Sequence, residues 1–247
     1  MRIYVVDDYK QLSKKTANLV ASQIRLKPDS VLGLATGSTP EGMYRELVRL
    51  HKEDDLDFSE VVTFNLDEYC GLDKDDPQSY YYFMIKNLFS QVNIRLENIH
   101  IPDGKAGNIE AECKRYEKAI KNAGGVDLQV LGIGRNGHIG FNEPDVKFEA
   151  VTHLVYLDEE TIIDNSRFFD NIDDVPKTAI SMGIKTIMQS KKIILLACGS
   201  EKAEIIKEAL EGGITPETPA SVLQIHPDVT IILDRAAAAL LTRGEDD

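Results

Sequence analysis

The sequence predicts an α/β protein: a single Rossmann-like domain in which helices cover both faces of a central, mostly parallel sheet. Short apolar runs rich in β-branched residues alternate with helical stretches along the chain, which is typical of buried parallel strands. The 247 residues are 43% hydrophobic, and single α/β domains often reach about 200–250 residues. No internal repeat, linker or change of composition marks a boundary, so we expect one domain over residues 1–247.

The first two helices have the clearest signals. Leu12, Thr16, Leu19 and Ile24 recur at helical spacing and form one apolar stripe. The second helix opens at Thr39-Pro40-Glu41, where a proline needs no N–H partner. Strands are expected at residues 3–6, 31–35, 61–65, 126–133, 192–197 and 229–233, and further helices near 80–89, 110–121, 202–210 and 235–241.

Residues 134–177 break this alternation. The stretch has little periodicity and carries Gly137, Gly140, Pro144 and Pro176, which favour turns. We expect a long active-site loop and a lid that projects from the scaffold.

The acidic balance of the chain excludes several classes of partner. A formal charge of −13 repels nucleic-acid backbones and anionic lipid surfaces, and no run of Lys or Arg offsets it. The first residues do not resemble a secretory signal, and no apolar run approaches the roughly 18 residues of a membrane span. Cys70, Cys113 and Cys198 lack metal-like spacing and fit a reducing compartment. We expect a cytoplasmic protein that binds neither nucleic acid nor membrane, and whose site for any small anion is locally positive.

A strand, a glycine turn and a helix start follow one another in the segment LGLATGSTP, residues 32–40. The free N–H groups of the first helical turn and the helix dipole favour an anion such as a phosphate. Ser38 and Thr39 add hydroxyl donors. No lysine follows the glycine as in a Walker loop, which disfavours a nucleoside triphosphate. An ordinary turn with a helix cap is the alternative interpretation.

The segment LGIGRNG, residues 131–137, matches the glycine pattern of a dinucleotide site. The following HIGFNEP disfavours the helix that such a site needs, so we interpret the match as a decoy. Asn136, His138 and Glu143 remain as a cluster at the carboxyl end of a strand. A histidine beside a carboxylate can move protons near neutral pH, although a lone loop histidine is more often structural.

The segment FNLDEYC, residues 64–70, also follows a predicted strand. Asp67 and Glu68 are candidates for acid–base chemistry, with helix capping or solvated surface charge as the alternative. Because all three segments leave strands at the same edge of a parallel sheet, their convergence is the main evidence for a site.

Two cations are candidate phosphate ligands. Lys202 lies at a predicted helix start, where a cation is unfavourable unless an anion is nearby. Arg167 lies in the segment NSRFF, and a surface salt bridge is the alternative for either residue. The five histidines have no i, i+4 pair and the zinc-deaminase ligand pattern is missing, so the sequence predicts no catalytic metal.

Together, LGLATGSTP, FNLDEY, GIGRNGHIGFNEP, NSRFF and GSEKA resemble the glucosamine-6-phosphate deaminases, in order and spacing, over nearly the full chain. FNLDEY and GHIGFNEP are highly specific, whereas the ATGSTP turn is shared with 6-phosphogluconolactonases. The resemblance implies conversion of glucosamine 6-phosphate and water to fructose 6-phosphate and ammonia in amino-sugar catabolism, without a metal or other cofactor.

The resemblance also implies roles for individual residues. His138 would open the sugar ring with support from Glu143 and Asn136, and Asp67 would move the proton from C2 to C1. The implied contacts to the substrate and its phosphate come from Ala35, Thr36, Gly37, Ser38, Thr39, Gly132, Arg167 and Lys202.

Two features depart from the family's pattern. Many relatives carry Asp-Gly-His where this chain has Asn136-Gly137-His138, so the amide can fix the ring's tautomer but adds no charge. Relatives activated by N-acetylglucosamine 6-phosphate use basic residues after the NEP motif, and here residues 145–153 are acidic and apolar. We doubt such activation and expect a monomer, with the hexamer of regulated relatives left open.

Two other interpretations remain at this point. A 6-phosphogluconolactonase would use the same phosphate turn with a histidine base, but FNLDEY and the NEP loop count against it. A catalytically silent sugar-phosphate sensor usually carries a DNA-binding segment, for which the chain leaves no room before its first strand.

Overall fold

A computed structural model of the chain describes residues 1–167 and 169–242. Within these residues the strands are β1 Arg2–Val6, β2 Val31–Leu34, β3 Val62–Asn65, β4 Asp67–Tyr69, β5 Ile99–His100, β6 Leu128–Leu131, β7 His153–Tyr156, β8 Thr178–Ser181, β9 Lys192–Ala197 and β10 Val229–Asp234. The helices are α1 Tyr9–Leu26, α2 Ser38–Glu53, α3 Tyr80–Asn87, α4 Ile109–Asn122, α5 Glu159–Ser166, α6 Ile184–Met188 and α7 Ala203–Glu211.

Seven strands form a central parallel sheet in the order β1-β10-β9-β6-β2-β3-β5. The chain passes from β2 to β3 and β5 on one side, and the later strands β6, β9 and β10 lie on the other. The strand order therefore changes direction between β2 and β6. Open α/β sheets bind their ligands outside the carboxyl ends of the strands at such a point.

Helices cover both faces of the central sheet, as the sequence predicts. On one face Phe64 and Leu131 pack with Tyr116 of α4 and Ile206 of α7. On the other face the alternate strand residues pack against α1 and α2. Because both faces are buried, the central strands are almost continuously apolar, which is why they are recognisable in the sequence. None of the helices in the described part of the chain could span a membrane.

The sequence predicts residues 134–177 as a long active-site loop and lid and does not predict the regular elements found there. This stretch contains strand β7, helix α5 and a short 3-10 turn at Ile172–Asp174. Strand β7 joins β8 and β4 in a second, antiparallel sheet of order β4-β8-β7. Three of the four residues of β7 are exposed or half-buried, so the strand lacks the apolar run that marks the central strands.

The predicted final helix is also wrong. Residues 235–240 form successive turns. The Asp234 carboxylate accepts a hydrogen bond from the Ala237 N–H, which caps this segment locally. Alanines favour a helix, but a run of this length is too short to propagate one, although Ala237 packs in the core. Phe168 of the NSRFF motif and the end of the predicted domain, residues 243–247, lie outside the described residues.

Candidate active site

A pocket of about 540 Å³ opens at the carboxyl ends of β2, β3, β6 and β9. Residues from the loops that follow these strands line it, together with residues of α5 and the segment after it. Ten of the twelve predicted site residues belong to its wall: Ala35, Thr36, Gly37, Ser38, Thr39, Asp67, Gly132, His138, Arg167 and Lys202. The other two, Asn136 and Glu143, stand behind His138 and contact it or each other.

One wall of the pocket is the start of α2. Gly37 has a φ of 98°, a conformation that strongly favours glycine, and it turns the chain from β2 into the helix. No side chain caps this helix start, so the N–H groups of Ser38 and Thr39 remain available to an anion. The Tyr9 hydroxyl donates to the Ser38 carbonyl at 2.9 Å and fixes the first turn. The structure therefore has the geometry that the sequence predicts for a phosphate site.

Cationic side chains line the same pocket as this helix start. Lys202 ends a 3-10 turn that leads into α7, and burial lowers its pKa. Asp164 and Glu201 act to raise that pKa, while Arg135 and Arg167 act to lower it, so these five charges lie near one another. Arg135 pairs with Asp164, with its Nε 2.9 Å from Oδ2. The cluster gives the pocket the local positive charge that an anionic ligand requires.

His138 and Glu143 form an imidazole–carboxylate pair beside the pocket. His138 Nδ1 lies 3.2 Å from Glu143 Oε2. Burial acts to raise the pKa of Glu143, but its contacts with His138, Thr161 and Asn136 together hold that pKa below the usual value. A Cβ built on Gly134 would lie 2.2 Å from His138 Cε1, so the imidazole packs directly on this glycine. The glycine that suggested a dinucleotide site makes room for the histidine ring.

Asn136 orients this pair indirectly. Its Nδ2 donates to Glu143 Oε2 at 2.9 Å, and its Oδ1 accepts from the His138 backbone N–H at 3.2 Å. The sequence suggested that Asn136 fixes the tautomer of the imidazole itself. The structure instead shows the amide holding the carboxylate and the backbone that position the imidazole.

Asp67 contributes a buried carboxylate to another wall of the pocket. Its side chain is 6% exposed, and Oδ2 would lie 3.6 Å from a Cβ built on Gly140 of the His138 loop. Burial, with a smaller contribution from the Glu68 charge, raises the pKa of Asp67 to about 8. A carboxylate with such a pKa can accept and return a proton near neutral pH.

Aromatic rings enclose this part of the pocket. Tyr80 and Phe141 line it and stack at 6.0 Å between ring centroids. Tyr69 packs against both and also meets Phe169, just beyond α5, at 6.0 Å. These contacts connect the second sheet to the segment predicted as a lid.

Sequence reasoning missed several wall residues, among them Tyr80, Arg135 and Asp164. Arg135 lies inside a motif that was set aside as a decoy, and Asp164 belongs to a helix that was not predicted. The expectation that no helix follows this motif is confirmed: residues 135–143 form turns and an isolated bridge. Among the described residues, no three His, Cys, Asp or Glu side chains are grouped as metal ligands would be.

Comparisons with known proteins show the family to which the chain is similar. A family model described as glucosamine-6-phosphate isomerases/6-phosphogluconolactonase matches residues 7–232. A glucosamine-6-phosphate deaminase of Clostridium botulinum (strain Kyoto / Type A2) is 62% identical over 241 residues, 98% of this chain and 99% of the relative. A solved structure of a monomeric glucosamine-6-phosphate deaminase has a TM-score of 0.96 at 49% identity and covers 98% of this chain and 100% of its own. The 6-phosphogluconolactonase of Leishmania guyanensis has a TM-score of 0.77 at 22% identity, covering 98% and 99% of the two chains, which shows a shared fold.

Proposed function

The chain belongs to the family of glucosamine-6-phosphate isomerases and 6-phosphogluconolactonases, and we propose that it is an isomerising deaminase of amino-sugar catabolism. It converts D-glucosamine 6-phosphate and water to D-fructose 6-phosphate and ammonia. One observation carries the proposal: a single pocket is lined by the buried Asp67, by His138 with Glu143 paired behind it, and by a helix start with Arg167 and Lys202.

The phosphate binds between the start of α2 and the cations opposite. The N–H groups and hydroxyls of Ser38 and Thr39 donate to its oxygens, and Arg167 and Lys202 neutralise its charge. Ala35, Thr36, Gly37 and Gly132 form the adjacent wall. Anchoring the phosphate places the other end of the sugar near Asp67 and His138.

Ring opening comes first. His138 takes the proton of the C1 hydroxyl and passes it to the ring oxygen, so the bond from C1 to the ring oxygen breaks and an aldehyde forms at C1. Glu143 stabilises the charged imidazole, and Asn136 holds Glu143 in place.

Enolisation follows. The Asp67 carboxylate removes the C2 proton of the open-chain sugar while the C2 ammonium gives one of its protons to the C1 oxygen, which yields an enolamine with a hydroxyl on C1. Asp67 then returns its proton to C1. The C2 nitrogen is left as an iminium, to which water adds before ammonia leaves and the C2 ketone forms. One buried carboxylate serves both carbons because it is confined above a short stretch of the sugar chain.

The first experiment measures ammonia and fructose 6-phosphate after incubation of the protein with glucosamine 6-phosphate in the presence of EDTA. Both products are expected in equal amounts. Absence of both would contradict the deaminase proposal, and activity lost to the chelator and restored by a metal would contradict the metal-free route. 6-Phosphogluconolactone in a parallel reaction tests the alternative lactonase activity.

The second experiment tests the role of Asp67. We expect Asp67→Asn to lose exchange of the C2 proton with solvent deuterium while it still binds glucosamine 6-phosphate, because the amide cannot accept the proton. Asp57→Asn removes an exposed carboxylate that does not line the pocket and serves as the control. Retained exchange in Asp67→Asn would show that another group is the base.

We also propose that the enzyme is a monomer without activation by N-acetylglucosamine 6-phosphate. The solved deaminase with a TM-score of 0.96 is described as monomeric, and residues 145–153 are acidic and apolar. Sedimentation should give the mass of one chain, and rates should depend hyperbolically on substrate with or without the acetylated sugar. A hexamer or a sigmoidal curve would contradict this proposal. The cytoplasmic location stays a prediction.

A further inference from the structure

Glu68 follows the proposed base directly along β4, yet its side chain points away from the pocket's chemistry. Its carboxylate is buried, with 5% of the residue exposed. Glu68 Oε1 accepts the backbone N–H groups of Tyr69 and Tyr80, and Oε2 accepts that of Tyr81, each at 2.9 Å. One carboxylate therefore joins the strand that carries Asp67 to the first turn of α3.

The start of α3 has all four of its first N–H groups satisfied. Those of Tyr80 and Tyr81 reach Glu68, that of Tyr82 reaches the Ser79 hydroxyl at 3.0 Å, and that of Phe83 reaches the Ser79 carbonyl at 3.1 Å. Ser79 alone would cap an ordinary helix. Glu68 lies twelve residues before Tyr80, so its carboxylate ties two separate elements together, and negative charge at a helix start makes the tie stronger.

This tie bears on the pocket because successive side chains of a strand point to opposite sides. With Glu68 held by α3, the backbone rotation of β4 is fixed and Asp67 is directed into the cavity. Tyr80, the first residue of α3, lines the same cavity. Fastening β4 to α3 therefore sets both the carboxylate and the aromatic wall of the site.

We infer that Glu68 is a positioning residue for the enolisation step: its carboxylate holds Asp67 and Tyr80 in the geometry that the proton transfer requires. The inference rests on the proposed function. Glu68 touches no substrate atom in this role and acts through Asp67.

Loss of the Glu68 charge should change the pH dependence of catalysis, which loss of packing alone would not do. Burial is the larger cause of the raised pKa of Asp67, and the neighbouring Glu68 charge is the second. Replacing Glu68 by glutamine removes that charge, so the pKa of Asp67 falls and the base stays ionised to lower pH. The other titratable groups that face Asp67 include the phenols of Tyr44 on α2, Tyr69 on β4, Tyr80 on α3 and Tyr116 on α4.

Two variants separate position from charge. Glu68→Gln keeps the length of the side chain but replaces one of the two accepting oxygens by an NH₂ group. The amide can therefore not accept all three backbone N–H groups as the carboxylate does. We expect C2-proton exchange and kcat to fall by about tenfold to a hundredfold, with KM within about threefold, and the acid limb of the kcat/KM profile to move to lower pH. Glu68→Asp keeps the charge but withdraws it from α3, so kcat should fall while the acid limb stays in place.

Glu112→Gln is the matched control. Glu112 is also a buried carboxylate that accepts a backbone N–H, from Asp103 at 2.9 Å, but it lies on α4 away from the pocket wall. We expect it to affect thermal unfolding without changing C2-proton exchange. An equal loss of exchange in Glu112→Gln, or wild-type exchange and an unmoved acid limb in Glu68→Gln, would overturn the inference.

Amide hydrogen exchange distinguishes a wrong role for Glu68 from a wrong proposed function. In Glu68→Gln the Tyr80 and Tyr81 amides should exchange faster, while the Tyr82 amide, held by Ser79, should not. A wild-type protein that neither releases ammonia nor exchanges the C2 proton would overturn the proposed function itself. An active wild type with unchanged Tyr80 and Tyr81 amides in the variant would overturn only the role of Glu68.

Discussion

Asp67 is placed where its proposed chemistry conflicts with its contribution to stability. Its pKa rises from 3.8 in water to about 8 in the fold, mainly because of burial. The folded state therefore binds a proton that the unfolded state has lost whenever the pH lies between these values. The free energy of unfolding falls as the pH rises through that interval, and the loss is complete above about pH 8.

Asp67→Asn should therefore stabilise the protein while it removes catalysis. The gain in Tm should be small near pH 5 and larger near pH 9, by about 2–4 °C or more, because the amide does not ionise. Thermal unfolding of the two proteins at both pH values measures it. A lower Tm for the variant near pH 9 would contradict the argument.

Asp127 provides a control of opposite sign. Burial acts to raise its pKa, but hydrogen bonds from Lys191 and Lys27 hold that pKa below its usual value. Its stabilising contribution is present above the unfolded pKa and is lost as the pH falls through the folded pKa. Asp127→Asn should therefore lower Tm near neutral pH and have less effect in acid.

Many residues of the site could be predicted from the sequence, because Asp67, His138 and Lys202 each follow a strand of one parallel sheet. The sequence did not show what each polar side chain contacts. The sequence predicted that Asn136 fixes the imidazole, whereas the structure shows it holding Glu143. For Glu68 the sequence allowed either acid–base chemistry or helix capping, and only its N–H donors in the structure decide between them. Such contacts depend on distant backbone, and spacing carries no signal for them.

At the scale of elements, α5 covers the pocket through a few side-chain contacts. Asp164 pairs with Arg135 in the loop after β6, and Phe169 meets Tyr69 of β4. The Arg135 side chain is 51% exposed and that of Asp164 31%. An ion pair so accessible to water contributes about 1 kcal/mol at most, so this contact alone does not hold the cover closed, and its opening stays a prediction.

We expect glucosamine 6-phosphate to slow amide hydrogen exchange across residues 157–167, because a bound phosphate adds Arg167 contacts on the same side. Without ligand, Arg135→Gln should speed exchange there by up to about fivefold, the effect of 1 kcal/mol. The α4 amides serve as the internal control. Equal exchange with and without the sugar would identify a fixed wall instead of a lid.

The central elements were predictable and the second sheet was not, for one physical reason. Strands such as β9 and β10 are buried on both faces and appear as continuous apolar runs. Strand β4 has three residues and carries Asp67 and Glu68, so its sequence looks like a polar loop. Its stability comes from pairing with β8, far along the chain, and from the tie between Glu68 and α3. Local pattern cannot show either contribution.

At the scale of the whole molecule, the formal charge of −13 is opposite in sign to the charge that the phosphate subsite presents. Lys202, Arg167 and Arg135 gather with the start of α2 around one cavity. At physiological ionic strength, charges farther apart than about 8 Å are largely screened, so the local cations decide the affinity for a small anion.

Lys202→Gln and Lys118→Gln test this separation of local from global charge, since each makes the net charge more negative by the same amount. Lys202 lines the pocket, whereas Lys118 is an exposed residue of α4. Losing a charge-assisted bond to the phosphate should raise KM for glucosamine 6-phosphate by at least about tenfold. Losing the distant lysine should change KM by less than about twofold. If the two variants raised KM equally, the net charge of the molecule, and not the cluster at the start of α2, would govern how the enzyme collects its anionic substrate.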